Sequence, residues 1–253
     1  IVSNSNFQGL KNKILYIKDN NPRTLLAKVA SKIYQPKPKN LIAVTGTNGK
    51  SSIAEFYYQI LKLNKKKVAS IGTLGIKTHR KNFEINNTTL DPISLNYHLQ
   101  KIKKLNINNV ILEASSHGLK QNRLNGLYFK IGIFTNLSHD HLDYHKSIKD
   151  YLKSKLFLFE NLMKKNSDVI TDISIPQFKI IEKIAKKRKL KIFTIGTKKN
   201  SLELVSHKYR GEKQLLKIKY KNKIYNIDVN LIGKIQIKNI LMAMIAAKKR
   251  NLK

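Results

Sequence analysis

The chain has 253 residues, 41% of them hydrophobic, with 50 Lys and Arg against 15 Asp and Glu, for a formal net charge of +35. That length suits one large domain or two small ones and allows a substantial core. With no cysteine, disulfides, thiolate metal sites and a cysteine nucleophile are excluded.

No sustained apolar opening reads as a signal peptide. The longest clear apolar run, 240–247, is too short to cross a bilayer. A cytoplasmic, monomeric protein with no membrane insertion is therefore expected. The chain begins with Ile1, so a fragment or processed product is also expected. The basic residues are spread along the whole length. Clusters such as Lys65-Lys66-Lys67 and Lys186-Lys187-Arg188-Lys189 read as solvated surface, and abundant Asn and Ile suggest compositional drift. No specific nucleic-acid partner follows, only non-specific adhesion at low salt. A contiguous basic face with interleaved aromatics would argue otherwise, and none is visible in the sequence.

In chain order, a strand is predicted over 13–17 and a helix over 22–34, with Pro22 in its first turn. The proline-rich stretch 35–39 reads as a linker. Short apolar runs at 41–45, 68–72, 109–113, 131–135, 167–171 and 191–195 then alternate with helical patterns at 50–63, 93–104, 147–163 and 177–188. Such alternation predicts an α/β fold, a mainly parallel sheet with flanking helices. The segments 201–206, 214–220 and 223–229 read as a small antiparallel β region: Leu216, Ile218 and Tyr220 alternate with Lys217, Lys219 and Lys221. A last helix is predicted over 235–249.

The most informative stretch is Val44-Thr45-Gly46-Thr47-Asn48-Gly49-Lys50-Ser51-Ser52. It joins an apolar strand to a helix, the setting in which a glycine-rich loop cradles phosphates. Gly46 and Gly49 permit close backbone approach, Lys50 would reach the outer phosphates, and Ser51 is placed for Mg²⁺. Val44 stands where the longer version of this pattern has glycine, so the loop is a shortened variant. Glu113 closes a buried-type strand, where ligands of open α/β sheets gather, and suits a Mg²⁺ site. Five His and Asp residues fall within 139–145. This density points to a metal or proton-transfer site, with a polar capping loop as the alternative. His141 is the favoured ligand, and Asp140, Asp143 and His145 are read as supporting or structural.

Taken together, four segments resemble the central ATP-binding domain of the Mur ligases. They are the loop at 45–51, Thr88-Thr89-Leu90-Asp91-Pro92, Glu113-Ala114-Ser115-Ser116-His117-Gly118-Leu119, and Asp140-His141-Leu142-Asp143-Tyr144-His145. The first also occurs in folylpolyglutamate synthases; the other three, in this order, are more specific. They resemble the branch that adds diaminopimelate or lysine, as third peptide residue, to UDP-N-acetylmuramoyl-L-alanyl-D-glutamate. The resemblance covers roughly residues 40–250. By it, residues 1–39 would be the tail of an N-terminal uridine-binding domain, and the C-terminal domain that selects the amino acid would be missing. The isolated chain would then be inactive.

The resemblance implies ATP and two Mg²⁺ ions. Gly46, Thr47, Asn48, Gly49, Lys50, Ser51 and Ser52 would hold the nucleotide, and Asn239 would contact adenine. Thr88, Thr89, Ser115, Ser116, Gln121 and Arg123 would line the UDP-muramoyl-peptide site. Metal binding would fall to Ser51, Glu113, His141 and Lys155. Lys155 matches a lysine that reacts with CO₂ to give an anionic carbamate, and Lys50, Lys155 and His141 would carry catalysis. At 169–172 the chain reads Val-Ile-Thr-Asp, where the family often has an Asn-x-Asp-Asp turn. Two other readings are a folylpolyglutamate-synthase-like ligase and an inactive basic fragment that binds nucleic acid non-specifically.

Overall fold

The computed structural model describes residues 2–85, 87–140, 143–196 and 201–249. Strands β1 (Val2–Ser3), β2 (Gly9–Lys11) and β3 (Ile14–Lys18) form a small sheet of their own, ordered β1-β3-β2. Asn12 (φ 48°) and Lys13 (φ 61°) supply the left-handed pair that a two-residue hairpin turn requires. Helix α1 (Pro22–Ile33) is capped by Asn21, whose side chain accepts from the Thr24 amide. The stretch 35–39, expected as a linker, is fastened to the body: Gln100 Nε2 donates to the Gln35 carbonyl at 2.6 Å, and Pro38 is buried.

The rest of the chain builds one large sheet. Its elements are β4 (Asn40–Thr45), α2 (Lys50–Leu63), β5 (Val68–Gly72), β6 (Gly75–Lys77), β7 (Asn82–Phe83), α3 (Pro92–Lys104), β8 (Asn109–Glu113) and α4 (Ser116–Lys120). They continue with β9 (Phe129–Phe134), α5 (Ile148–Asn161), β10 (Met163–Asp172), α6 (Phe178–Arg188), β11 (Lys191–Gly196), β12 (Leu202–Arg210), β13 (Lys213–Tyr220), β14 (Lys223–Val229) and α7 (Lys234–Lys248). The eleven strands lie in the order β14-β13-β12-β11-β10-β9-β4-β8-β5-β6-β7. From β12 to β5 every pairing is parallel, and the pairs at both ends are antiparallel. The expected fold class is the one observed.

Period-two alternation along β4 explains why both faces of the sheet must be covered. Leu41 and Ala43 join a core with Leu99 of α3, Phe159 of α5 and Ile181 of α6. Ile42 and Val44 point the other way, into a core with Tyr57 of α2 and Leu241 of α7. Every one of these residues is at most 5% exposed.

Two expectations need correcting. The helix predicted over 147–163 ends at Asn161, and the strand predicted from 167 begins at Met163. Met163 is 1% exposed and pairs with Phe129, so burial draws it into the sheet. The pairing then shifts register before Asp168 resumes opposite Ile131, with Asn166 at φ 66°. The hairpin β6–β7 was not expected.

Helix α3 begins at Asp91, whose carboxylate accepts from the amides of Ile93 and Ser94. Asp91→Ala is expected to lower the unfolding free energy by about 1 kcal/mol. An unchanged urea midpoint would refute that role.

Candidate active site

Glycine-rich loop 46–49 leaves the carboxyl end of β4 and opens α2, so the helix's first amides face outward at its positive end. A second loop, after β9, grips it. The Thr47 amide donates to the Asn136 carbonyl (3.0 Å) and the Asn48 amide to Asn136 Oδ1 (3.0 Å). Thr135 Oγ1 donates to the Asn48 carbonyl at 2.6 Å. Ser138 N donates to Thr47 Oγ1 at 3.0 Å, and that hydroxyl also pairs with Tyr151 OH at 3.2 Å. Gly46 (φ 144°) leaves no room for a side chain, since a Cβ there would stand 1.8 Å from Thr135 Oγ1.

Lys50 Nζ donates to the carbonyls of Gly46 (3.1 Å) and Thr47 (2.7 Å), which holds the ammonium over the loop. Burial lowers its pKa, while Glu113 and Asp140 act in the opposite direction. Glu113, 2% exposed at the end of β8, accepts from Ser51 Oγ at 2.9 Å and from the Thr73 amide at 2.9 Å. Thr73 Oγ1 also donates to it, at 3.2 Å, and pairs with Thr88 Oγ1 at 3.0 Å. Thr89 is the next tie: its hydroxyl donates to the Glu113 carbonyl (2.8 Å) and accepts from the Ser115 amide (2.9 Å).

Lys155 of α5 is 1% exposed, and its Nζ donates to the Gly46 carbonyl at 2.8 Å. Burial, reinforced by the Lys50 charge, pushes its pKa down to about 7. The Tyr151 ring lies 4.2 Å from the same Nζ. Thr47, Asn48, Gly49, Lys50, Ser51 and Ser52 share with Thr73, Thr88, Glu113, Ser115, Ser116 and Lys155 the wall of one cavity of about 300 Å³. Ser116 Oγ, buried in that wall, has no hydrogen-bond partner among the described residues.

Most residues predicted for the site therefore converge. Asn239 of α7 presses on Gly49, where a Cβ would stand 2.6 Å from its Oδ1. Gln121 and Arg123 stand behind the cavity in a chain: Tyr144 OH accepts from Gln121 Nε2, Gln121 Oε1 from Arg123 Nε, and the Thr89 carbonyl from Arg123 Nη1 at 2.6 Å. His141 lies outside the described residues. Asp140 is exposed, and its charge reaches Lys50 and Lys155. His145, 1% exposed, is packed 4.9 Å from the Tyr151 ring, with Nδ1 3.5 Å from Asp150 Oδ2. No group of three or more His, Asp or Glu suited to a metal occurs among the described residues.

Thr73, Thr135, Asn136 and Tyr151 were missed by sequence reasoning. The bonds that tie them to Glu113 and the loop span 40 to 104 residues, so no local pattern betrays them. At the altered turn after β10, Asp172 accepts from Ser174 N (2.8 Å) and pairs with Lys238 Nζ of α7 at 2.6 Å. Gly72 touches Glu113 so closely that a Cβ would stand 2.1 Å from Oε1. On the expectation that Glu113 holds Mg²⁺ for a nucleotide, Gly72→Ala should displace that carboxylate and weaken Mg²⁺-dependent nucleotide binding by roughly tenfold or more. An unchanged Mg²⁺ titration would contradict the placement.

Residues 44–247 match the family model for the Mur ligase middle domain. The chain belongs to that family. Its loop, its Glu113 strand and its Lys155 helix are thus those of a Mur ligase middle domain. A relative from Zymomonas mobilis, the UDP-N-acetylmuramoyl-L-alanyl-D-glutamate--2,6-diaminopimelate ligase, is 37% identical over 223 residues, covering 88% of this chain and 46% of the relative. The chain thus spans about half the length of the curated relatives it matches. A solved ligase with the same name superposes with a TM-score of 0.88 at 26% identity, over 100% of this chain and 52% of that one. Folylpolyglutamate synthetase from Lactobacillus casei shares the fold at TM-score 0.68 and 15% identity, over 92% and 62% of the respective chains. No helix among the described residues is long and apolar enough to cross a membrane.

Proposed function

We propose that this Mur ligase middle domain is the ATP-binding part of a ligase of peptidoglycan precursor synthesis, acting as a monomer in the cytoplasm. It would add diaminopimelate or lysine to UDP-N-acetylmuramoyl-L-alanyl-D-glutamate. One observation carries the reading: a single cavity unites the loop lysine Lys50 and Ser51 with Glu113, Thr88, Ser116 and Lys155.

The residues fit ATP with Mg²⁺. The loop and the α2 N-terminus suit phosphates. Glu113 with the Ser51 hydroxyl offers the oxygen donors a hard cation takes. Mg²⁺ bound there would offset negative charge on the phosphate oxygens. Lys50 would neutralise part of the charge on the transferring phosphoryl group while the substrate carboxylate attacks the γ-phosphorus and ADP leaves. The amine of the incoming amino acid then displaces phosphate from the acyl phosphate, forming the amide. No side-chain nucleophile is required.

Lys155 suits a carbamate. Near neutral pH a large fraction of its amine is unprotonated, so nitrogen can attack CO₂ and release a proton to water. The carbamate nitrogen keeps one hydrogen, which can still donate to the Gly46 carbonyl. The product would be an anionic oxygen ligand in place of an ammonium that repels Mg²⁺.

The test is calorimetric, in the presence of a non-hydrolysable ATP analogue and Mg²⁺. Saturable binding of UDP-N-acetylmuramoyl-L-alanyl-D-glutamate, weakened at least tenfold by Arg123→Ala, is the expected result. Binding of a reduced folate with no response to the muramoyl peptide would hand the site to the folylpolyglutamate-synthase-like reading.

A further inference from the structure

Away from the catalytic edge, the fold assembles a basic cleft that the sequence disperses. It lies at the amino ends of β9, β10 and β11, whereas the phosphate loop and Glu113 sit at the carboxyl ends of β4 and β8. The two places are separated by about 20 Å, the length of a six-residue strand. The cleft encloses about 610 Å³. Lys39, Lys130, Lys164, Lys165, Lys191 and Lys249 line it, together with one acid, Asp168. The irregular start of β10 makes this wall: between Met163 and Asp168 the strand slips register and presents Lys164, Lys165, Asn166 and Ser167. Bulges of this kind re-aim side chains at functional places. Tyr128, 54% exposed, stands in the same wall, with Lys164 Nζ 4.9 Å from its ring centroid.

We infer that this cleft binds the sugar–phosphate backbone of a single-stranded nucleic acid, with a base stacked on Tyr128. Six lysines against one aspartate exceed what a mononucleotide would neutralise, so the charge suits a repeating polyanion. An exposed aromatic ring among cations is the pairing that binds single strands without reading sequence. The polar Asn166 and Ser167 add neutral hydrogen-bonding groups beside the lysines.

Fluorescence anisotropy of a labelled oligothymidylate, titrated at several salt concentrations, tests this on the intact chain. Lys164→Glu/Lys165→Glu should weaken binding at least tenfold and reduce the slope of log K against log salt by about 1.4, for two lost contacts. Lys217→Glu/Lys223→Glu makes the same charge change on the exposed ribbon β13–β14 and should alter affinity less than twofold. Tyr128→Ala should weaken oligothymidylate binding roughly tenfold without affecting competition by inorganic polyphosphate. Equal losses in the two lysine variants would overturn the cleft as a site. An unaltered Tyr128→Ala variant would overturn the single-strand assignment and leave a plain polyphosphate site.

Discussion

Lys50→Ala is expected to abolish saturable Mg-ATP binding, raising Kd at least a hundredfold, about 3 kcal/mol. The expectation rests on the position of the ammonium, held over the loop by the Gly46 and Thr47 carbonyls and half-buried there. No other described lysine of the cavity leaves the loop itself, so nothing replaces it. The same substitution should raise the pKa of Lys155, because the Lys50 charge is one of the causes that lower it. Calorimetry reads the first effect. Wild-type affinity in the variant would show that the loop holds no phosphate.

Lys155→Met should split function from stability. In a ¹³C-bicarbonate solution the wild-type chain is expected to give a carbamate resonance that the variant lacks, and a ligase carrying the variant should lose turnover by at least a hundredfold. Ligation at the normal rate, without chloride or acetate as substitute anion, would remove the carbamate role. Stability should move the other way. The folded pKa is about 7, against 10.5 for the free side chain. Between these values the unfolded chain holds a proton that the folded chain does not, so stability rises with pH across the window. Below about pH 7 both states are protonated and the penalty for the buried ammonium is complete, at most about 5 kcal/mol. Methionine of similar length has no charge to bury, so the variant should be the more stable protein at pH 6 and show a flatter profile to pH 10. A variant less stable than wild type at pH 6 would contradict this account.

Much of the architecture was legible because burial imposes periodicity. Leu41, Ile42, Ala43 and Val44 are apolar on successive residues since each face of β4 meets a core, and α2, α3, α6 and α7 begin within a residue or so of where the patterns place them. The phosphate loop was legible because its chemistry is local: two glycines, a lysine and a hydroxyl in seven residues. The start of β10 was not, because Met163 closes the predicted helix and the polar Lys164-Lys165-Asn166 separates it from the predicted strand, until Met163 is seen opposite Phe129. Lys155 illustrates the limit. As a sequence position it is one of many lysines, and only a family resemblance singled it out. Its meaning comes from the third dimension, where Gly46, 109 residues earlier, accepts from its Nζ. The basic cleft is a second case, since its lysines come from positions 39 to 249 and form no run.

The clamp between residues 135–138 and the phosphate loop also sets the donor inventory of the site. The amides of Thr47 and Asn48 already donate to Asn136, so neither points to an incoming oxyanion. On the proposed function, phosphate recognition by the backbone would therefore fall to Gly49, Lys50 and Ser51, where the loop becomes the first turn of α2. A longer loop wraps a phosphate chain from several directions; this one would meet it end-on, along the axis of α2. Discrimination among nucleotides of different phosphate length should accordingly depend on reach along that axis more than on encirclement.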